Sequence, residues 1–312
     1  MTLSARIARA LALLALSLSV LLAGPLAAQD VDEEGAGEGA GGDIVVTGSN
    51  RPVSVVAVQR QARAIAVRAG DMLDVPLARF EDRLCPGVAG LTPDVAALFN
   101  ARLRTNAAAL GLRLLDDDCD PNFVTVFTQD GGALLERLMR ENPQDFEYLD
   151  SGEQHDILAP GPVHVWTSVT PRTLTGMPIE QVRNLANPPR MGVWGAHTRI
   201  YTTTRNDITS VMLTFDVAAV RQLSVVQLAD YATMRGLAQT RAPEGDVAMD
   251  TILTLFIADS PPPGLTAFDR AYLRSLYDGL PNLPGNRRLA GTARQLRLMA
   301  EEEAGEDMAA GD

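Results

Sequence analysis

Apolar positions recur at helical spacing from Thr92 onward. Thr92-Pro93-Asp94 reads as a helix start, with Thr as N-cap, Pro in the first turn and an acid near the helix N-terminus. Val95, Leu98, Phe99, Leu103, Ala107 and Leu110 then keep one face, and Gly111 ends the run. Phe123-Val124-Thr125-Val126-Phe127 alternates as a strand should, and Asp130-Gly131-Gly132 leads into a helix through Met139, stopped before Pro143. Pro162 to Ser168 predicts a second strand. Gly176 to Trp194 predicts mostly loop, with a short helix near Ile179 to Leu185. His197 to Thr204 and Ile208 to Phe215 predict two strands about the polar triplet Arg205-Asn206-Asp207, a hairpin signal.

After Phe215 the period returns to that of a helix. Ser224 and Gln227 form an S-x-x-Q capping box, and Val225, Leu228, Ala229, Ala232 and Gly236 make one small or apolar face. A further helix is expected over Met249 to Phe256, broken by Pro261-Pro262-Pro263-Gly264. Another runs from Ala267 to Tyr277 behind the cap Thr266/Asp269. A last helix, about Thr292 to Glu303, precedes the acidic tail to Asp312, which is expected to fray. Upstream, Val53 to Val58 is β-prone, Gln59 to Gly70 predicts a short helix or extended arm, and Val75 to Leu91 shows no clear period. These elements predict an α/β (α+β) domain over residues 51–286. Its mixed sheet has flanking helices, with a smaller helical part from about residue 240 and a helix and tail over 287–312.

The N-terminus changes the picture by giving an address. Arg6 and Arg9 precede an apolar run from Leu11 to Leu22, too short for a membrane span and long enough for a secretory signal core. Small residues at Ala23, Gly24, Ala27 and Ala28 place cleavage after Ala28, so residues 1–28 are expected to be a signal peptide. A periplasmic or secreted protein follows, with no membrane span after cleavage. Residues 29–50 form an acidic, Gly-rich linker that cannot bury enough apolar surface to fold. Its G-x-G-x-x-G at Gly37, Gly39 and Gly42 follows no strand and opens no helix, so it is not a nucleotide fingerprint. At the linker's end, Asp43-Ile44-Val45-Val46-Thr47-Gly48-Ser49-Asn50 resembles the start of the mature region in TonB-dependent outer-membrane receptors. Ile44 to Gly48 reads as a short β-prone segment or edge strand; the sharper reading is an extended peptide that adds to a sheet edge of an envelope partner.

Charge and residue counts exclude several chemistries. With 27 Lys+Arg against 39 Asp+Glu and no basic stripe, nothing would neutralise phosphates, so nucleic-acid binding is not expected. Cys85 and Cys119, an even pair in an exported chain, most simply make one disulfide. Cys85-Pro86-Gly87 then reads as a turn pinned by that bridge. Asp116-Asp117-Asp118-Cys119-Asp120 is not an EF-hand, since Pro121 and Phe127 stand where Gly and Glu belong, and reads as a turn tied down by Cys119. No G-x-S-x-G turn, phosphate loop or H-E-x-x-H occurs. The three histidines, His155, His164 and His197, fall on different elements, with His155 in a polar loop.

The strand ending at Phe215, the helix Gln227 to Gln239, Thr251 to Phe256, Leu265 to Asp278 and Cys85 to Leu91 resemble a group of uncharacterised exported bacterial proteins with a degenerate zincin-like, metallopeptidase-like domain. The resemblance implies that fold. An active zincin would place its zinc ligands and base on that helix; here the matching positions hold Asp230, Tyr231 and Met234. No catalytic, cofactor-binding or metal-ligating residue carries over. Asp230, Tyr231 and Met234 remain as candidate cleft residues, on a face directed either towards a cleft or into core packing. The expected function is binding on a peptidase-like scaffold. The alternative is a hydrolase with an unorthodox site, using Asp230 with His164 or His197.

Overall fold

The computed structural model describes residues 54–67, 75–147, 149, 151–179 and 200–310, the last five without their side chains. The expected signal peptide, the linker with Ile44 to Gly48, the helix predicted from Ile179, and His197 lie wholly or largely outside these residues.

Four strands form one mixed sheet in the order β1-β2-β4-β3. Strand β1 (Pro86–Ala89) pairs parallel with β2 (Phe123–Thr128), and β2 pairs parallel with β4 (Thr204–Asp216). Strand β3 (Val163–Thr173) runs antiparallel to β4. The continuous apolar runs of β2 and β4 suit strands covered on both faces. One face carries Val124, Val126, Trp166 and Met212, packed against Leu134, Leu135 and Leu138 of α3 (Gly131–Glu141) and against Phe146. The Trp166 and Phe146 rings lie 4.3 Å apart between centroids. The other face carries Phe123, Phe127, Val211, Leu213 and Phe215 under the larger core. That core includes residues of α2 (Pro93–Ala109), α6 (Val225–Ala238) and α7 (Ala267–Tyr277). The result is a mixed α/β architecture with helices on both faces of the sheet.

The remaining helices are α1 (Val55–Ile65), α4 (Ser151–Leu158), α5 (Val217–Val220), α8 (Gly285–Ala290) and α9 (Thr292–Ala310). The disulfide between Cys85 and Cys119 is present, with its Cα atoms 6.1 Å apart, and it anchors the start of β1 to the acidic turn.

Several local expectations are corrected. Val53 to Val58 is not a strand where described. Ser54 caps α1 by accepting from the Ala57 N–H, and Val58, Gln61, Ala62 and Ile65 share a buried helical face. Burial of Val58 with Ala62 and Ile65 overrides the β-propensity of Val55, Val56 and Val58. No hairpin turns at Arg205-Asn206-Asp207, because β4 runs through it, opposite Thr170, Pro171 and Arg172 of β3. The triplet is polar because its charges are paired inside the sheet end. Asp207 is fully buried, with Arg205 at 2.9 Å and Arg172 at 3.5 Å. Met249 to Phe256 makes only the short 3-10 turn Ile252–Thr254, since buried Asp269 draws the Thr251 hydroxyl (2.6 Å) and the Ile252 N–H (2.8 Å) to itself. Pro86 opens β1 instead of sitting in a turn, His155 lies on α4 instead of a loop, and α9 extends through much of the acidic tail.

Candidate functional site

Helix α6 begins as its capping box requires. Ser224 Oγ accepts from the Gln227 N–H at 3.2 Å, and Gln227 Oε1 accepts from the Ser224 N–H at 3.0 Å. Gln227 also donates to the Pro262 carbonyl at 2.9 Å, which ties the proline-rich loop to the first turn. Further along, Gly236 lets the helix settle on the sheet. A Cβ there would stand 2.3 Å from Phe123 Cε2. Nearly every residue from Leu228 to Ala238 is therefore buried.

Asp230 is one of them, with no exposed surface. Its carboxylate accepts four hydrogen bonds. Arg102 of α2 donates from Nε to Oδ1 at 2.7 Å and from Nη2 to Oδ2 at 2.8 Å. Asn106 Nδ2, one turn on, donates to Oδ1 at 2.7 Å and also lies 3.0 Å from Thr233 Oγ1. The Leu265 N–H donates to Oδ2 at 2.7 Å. Bidentate pairing to a guanidinium is the strong form of this contact, and the bond to Asp230 raises Arg102 above its already high ordinary value. Gly264 is the residue that fits beside the carboxylate, for a Cβ there would meet Oδ2 at 2.6 Å. One buried acid thus ties together α2, α6 and the loop before α7.

Tyr231 is buried too. Its hydroxyl accepts from Arg235 Nη1 at 2.7 Å, and its ring meets Phe256 edge-on, with centroids 5.1 Å apart. Met234 is fully enclosed in the core. The structure therefore places all three candidate cleft residues in packing or in an internal ion pair. They do not fit a zinc site. Both oxygens of Asp230 are already engaged, a guanidinium stands where a cation would have to sit, and a phenol and an enclosed thioether complete the set.

The histidines lie elsewhere. His155 is exposed on α4. His164 pairs with Thr214 across β3 and β4, and by strand alternation faces the same side as Trp166 and Met212. Its Nδ1 is 3.0 Å from the Ile157 carbonyl, and its ring packs on Gly131 and Gly132 at the start of α3. His164 and Asp230 are thus on opposite faces of the sheet, which removes that pair from the hydrolase alternative. Among the described residues, no group of three or more His, Cys, Asp or Glu is placed to hold a metal.

The chain matches no family model, no curated protein and no solved structure.

Sequence reasoning missed Arg102, Asn106, Gly264 and Leu265. One signal was present for two of them. Asn106 falls on the apolar stripe of α2 between Leu103 and Ala107, and Arg102 stands one turn before it. A polar residue inside a buried stripe calls for a partner.

Proposed function

We propose that this chain is an exported, non-catalytic envelope or secreted protein that uses a peptidase-like scaffold for binding. The observation that carries the reading is the saturated carboxylate of Asp230. At the helix where the resemblance puts catalytic metal ligands, this sequence has built an internal ion pair instead. The apolar N-terminal run supports export, and the disulfide is compatible with an oxidising compartment. Ile44 to Gly48 fits an envelope partner on its sequence alone. Among the described residues no helix is long and apolar enough to cross a membrane.

The test is to recover the full chain from a bacterial host's periplasm or medium, sequence its N-terminus, and assay peptide hydrolysis with and without a chelator. The reading expects an N-terminus near Gln29 and no chelator-sensitive hydrolysis. Retention in the cytoplasm, or hydrolysis that a chelator abolishes, would overturn it.

A further inference from the structure

The Arg102–Asp230 pair is one-sided. Asp230 holds the Nε and Nη2 edge of the guanidinium, while Nη1 has no partner among the described residues and the Arg102 side chain is 37% exposed. A buried carboxylate behind a partly exposed arginine fixes the orientation of the guanidinium before any ligand arrives. Such preorganisation lowers the ordering cost of binding. The surroundings are apolar. Arg102 and Asn106 of α2 meet Asp230 and Thr233 of α6 in rising register, so the two helices run side by side in the same direction. One turn back on each stand Leu98, 63% exposed, and Val226, 43% exposed. Val226 lies 3.6 Å from where a Gly264 Cβ would be, beside the partly exposed prolines of that loop. The middle of α2 and the first turns of α6 therefore come together around a fixed guanidinium edge and two exposed aliphatic side chains.

We propose that this surface binds an extended peptide segment of a partner protein, with a carboxylate on Arg102 Nη1 and neighbouring aliphatic side chains on Leu98 and Val226. The unpaired Nη1 edge donates only and carries positive charge, so it selects an acid, and Leu98 and Val226 on either side of it suit the neighbouring side chains of an extended segment. Asp230 is the positioning residue behind Arg102. The proposal rests on the binding reading above and names the chemistry of its partner.

The test is fluorescence anisotropy of the full mature chain against a labelled panel of capped peptides, in which one Asp or Glu is flanked by Leu, Val or Ile. Saturable binding is expected for at least one acid peptide, with its Asn or Gln counterpart about tenfold weaker or worse, or ~1.4 kcal/mol. Leu98→Glu changes only an exposed position and should weaken binding by a similar factor. Arg102→Lys, checked for unchanged fold by circular dichroism, should do the same because it loses the fixed Nη1 edge. Three results would overturn the site: no binding of any acid peptide up to about 1 mM, equal binding of acid and amide peptides, or Leu98→Glu binding as wild type. Self-association abolished by Leu98→Glu without peptide binding would assign the face to a second copy and also overturn it. Hydrolysis of a bound peptide would instead sink the non-catalytic reading and leave the site standing.

Discussion

Replacing Asp230 with Ala probes the interior of α6 directly. The change removes the acceptor for four donors, two from Arg102 and one each from Asn106 and Leu265. These are not equal losses. Arg102 is 37% exposed and can turn to water, so its charge is not stranded. Asn106 keeps Thr233, whereas the part-buried Leu265 N–H loses the acceptor it has here. Bonds to a charged acceptor contribute about 1.5–3 kcal/mol each, and stranded buried donors cost about 1–3 kcal/mol. Discounting the solvated arginine, the sum is about 3–5 kcal/mol, the range seen when one partner of a buried pair is removed. For a domain of this size that lowers Tm by roughly 10 °C. Urea titration followed by tryptophan fluorescence, with thermal melts, measures it. Arg102→Ala should cost at least as much, because it strands a fully buried carboxylate. A loss below about 1 kcal/mol for Asp230→Ala would mean that this carboxylate does not hold α2, α6 and the loop before α7 together.

Three other outcomes are expected. Removing the disulfide with Cys85→Ala and Cys119→Ser should cost about 4 kcal/mol in the chain-entropy model, for a sequence separation of 34; an unchanged urea midpoint would contradict it. Gly131→Ala would drive a Cβ to 2.3 Å from Thr214 Oγ1 and 2.9 Å from His164 Cδ2, so urea midpoints should report a loss of about 1–3 kcal/mol. Burial raises Asp269 above the ordinary carboxylate value despite its bonds to Thr251, Ile252 and Thr266. The folded state then holds a proton that the unfolded state has released, so Asp269's contribution is fully present below the unfolded value. It is lost as pH rises through the folded one. Compared with Asp269→Asn, wild type should therefore gain stability as pH falls toward 4, read by urea melts across that range; a relative loss would contradict the sign.

Elements announced by local chemistry were legible in the sequence. Helix α2 begins behind Thr92-Pro93, and α6 and α7 begin behind capping boxes that the structure forms as written. The short, β-branched and aromatic apolar run of β2 announced a strand by itself. Where polar residues had partners far away in the chain, the pattern misled. Arg205-Asn206-Asp207 looks like a turn until Arg172 is placed beside it on β3. Met249 to Phe256 looks helical until Asp269, some 17 residues on, captures the Ile252 N–H. Val55, Val56 and Val58 look extended until α1 finds a core to bury Val58 and Ile65.

The candidate site followed the same logic. Asp230, Tyr231 and Met234 could be named from their place on the helix, but their direction could not. It is fixed by Arg102 and Asn106, which lie more than a hundred residues earlier, and by the Leu265 backbone. Neither helix alone says that their polar residues face one another. Only the parallel placement of β1, β2 and β4, with α2 and α6 on the same face, brings the guanidinium to the carboxylate.

The claim that Asp230 on α6 is engaged in an internal ion pair and not in metal binding is tested most directly by elemental analysis. Wild type and Asp230→Ala, each purified as the full chain without added metal, would be measured for zinc per chain. The account predicts far less than one zinc per chain in wild type and no change in the variant. About one zinc per chain in wild type, lost with Asp230, would contradict it.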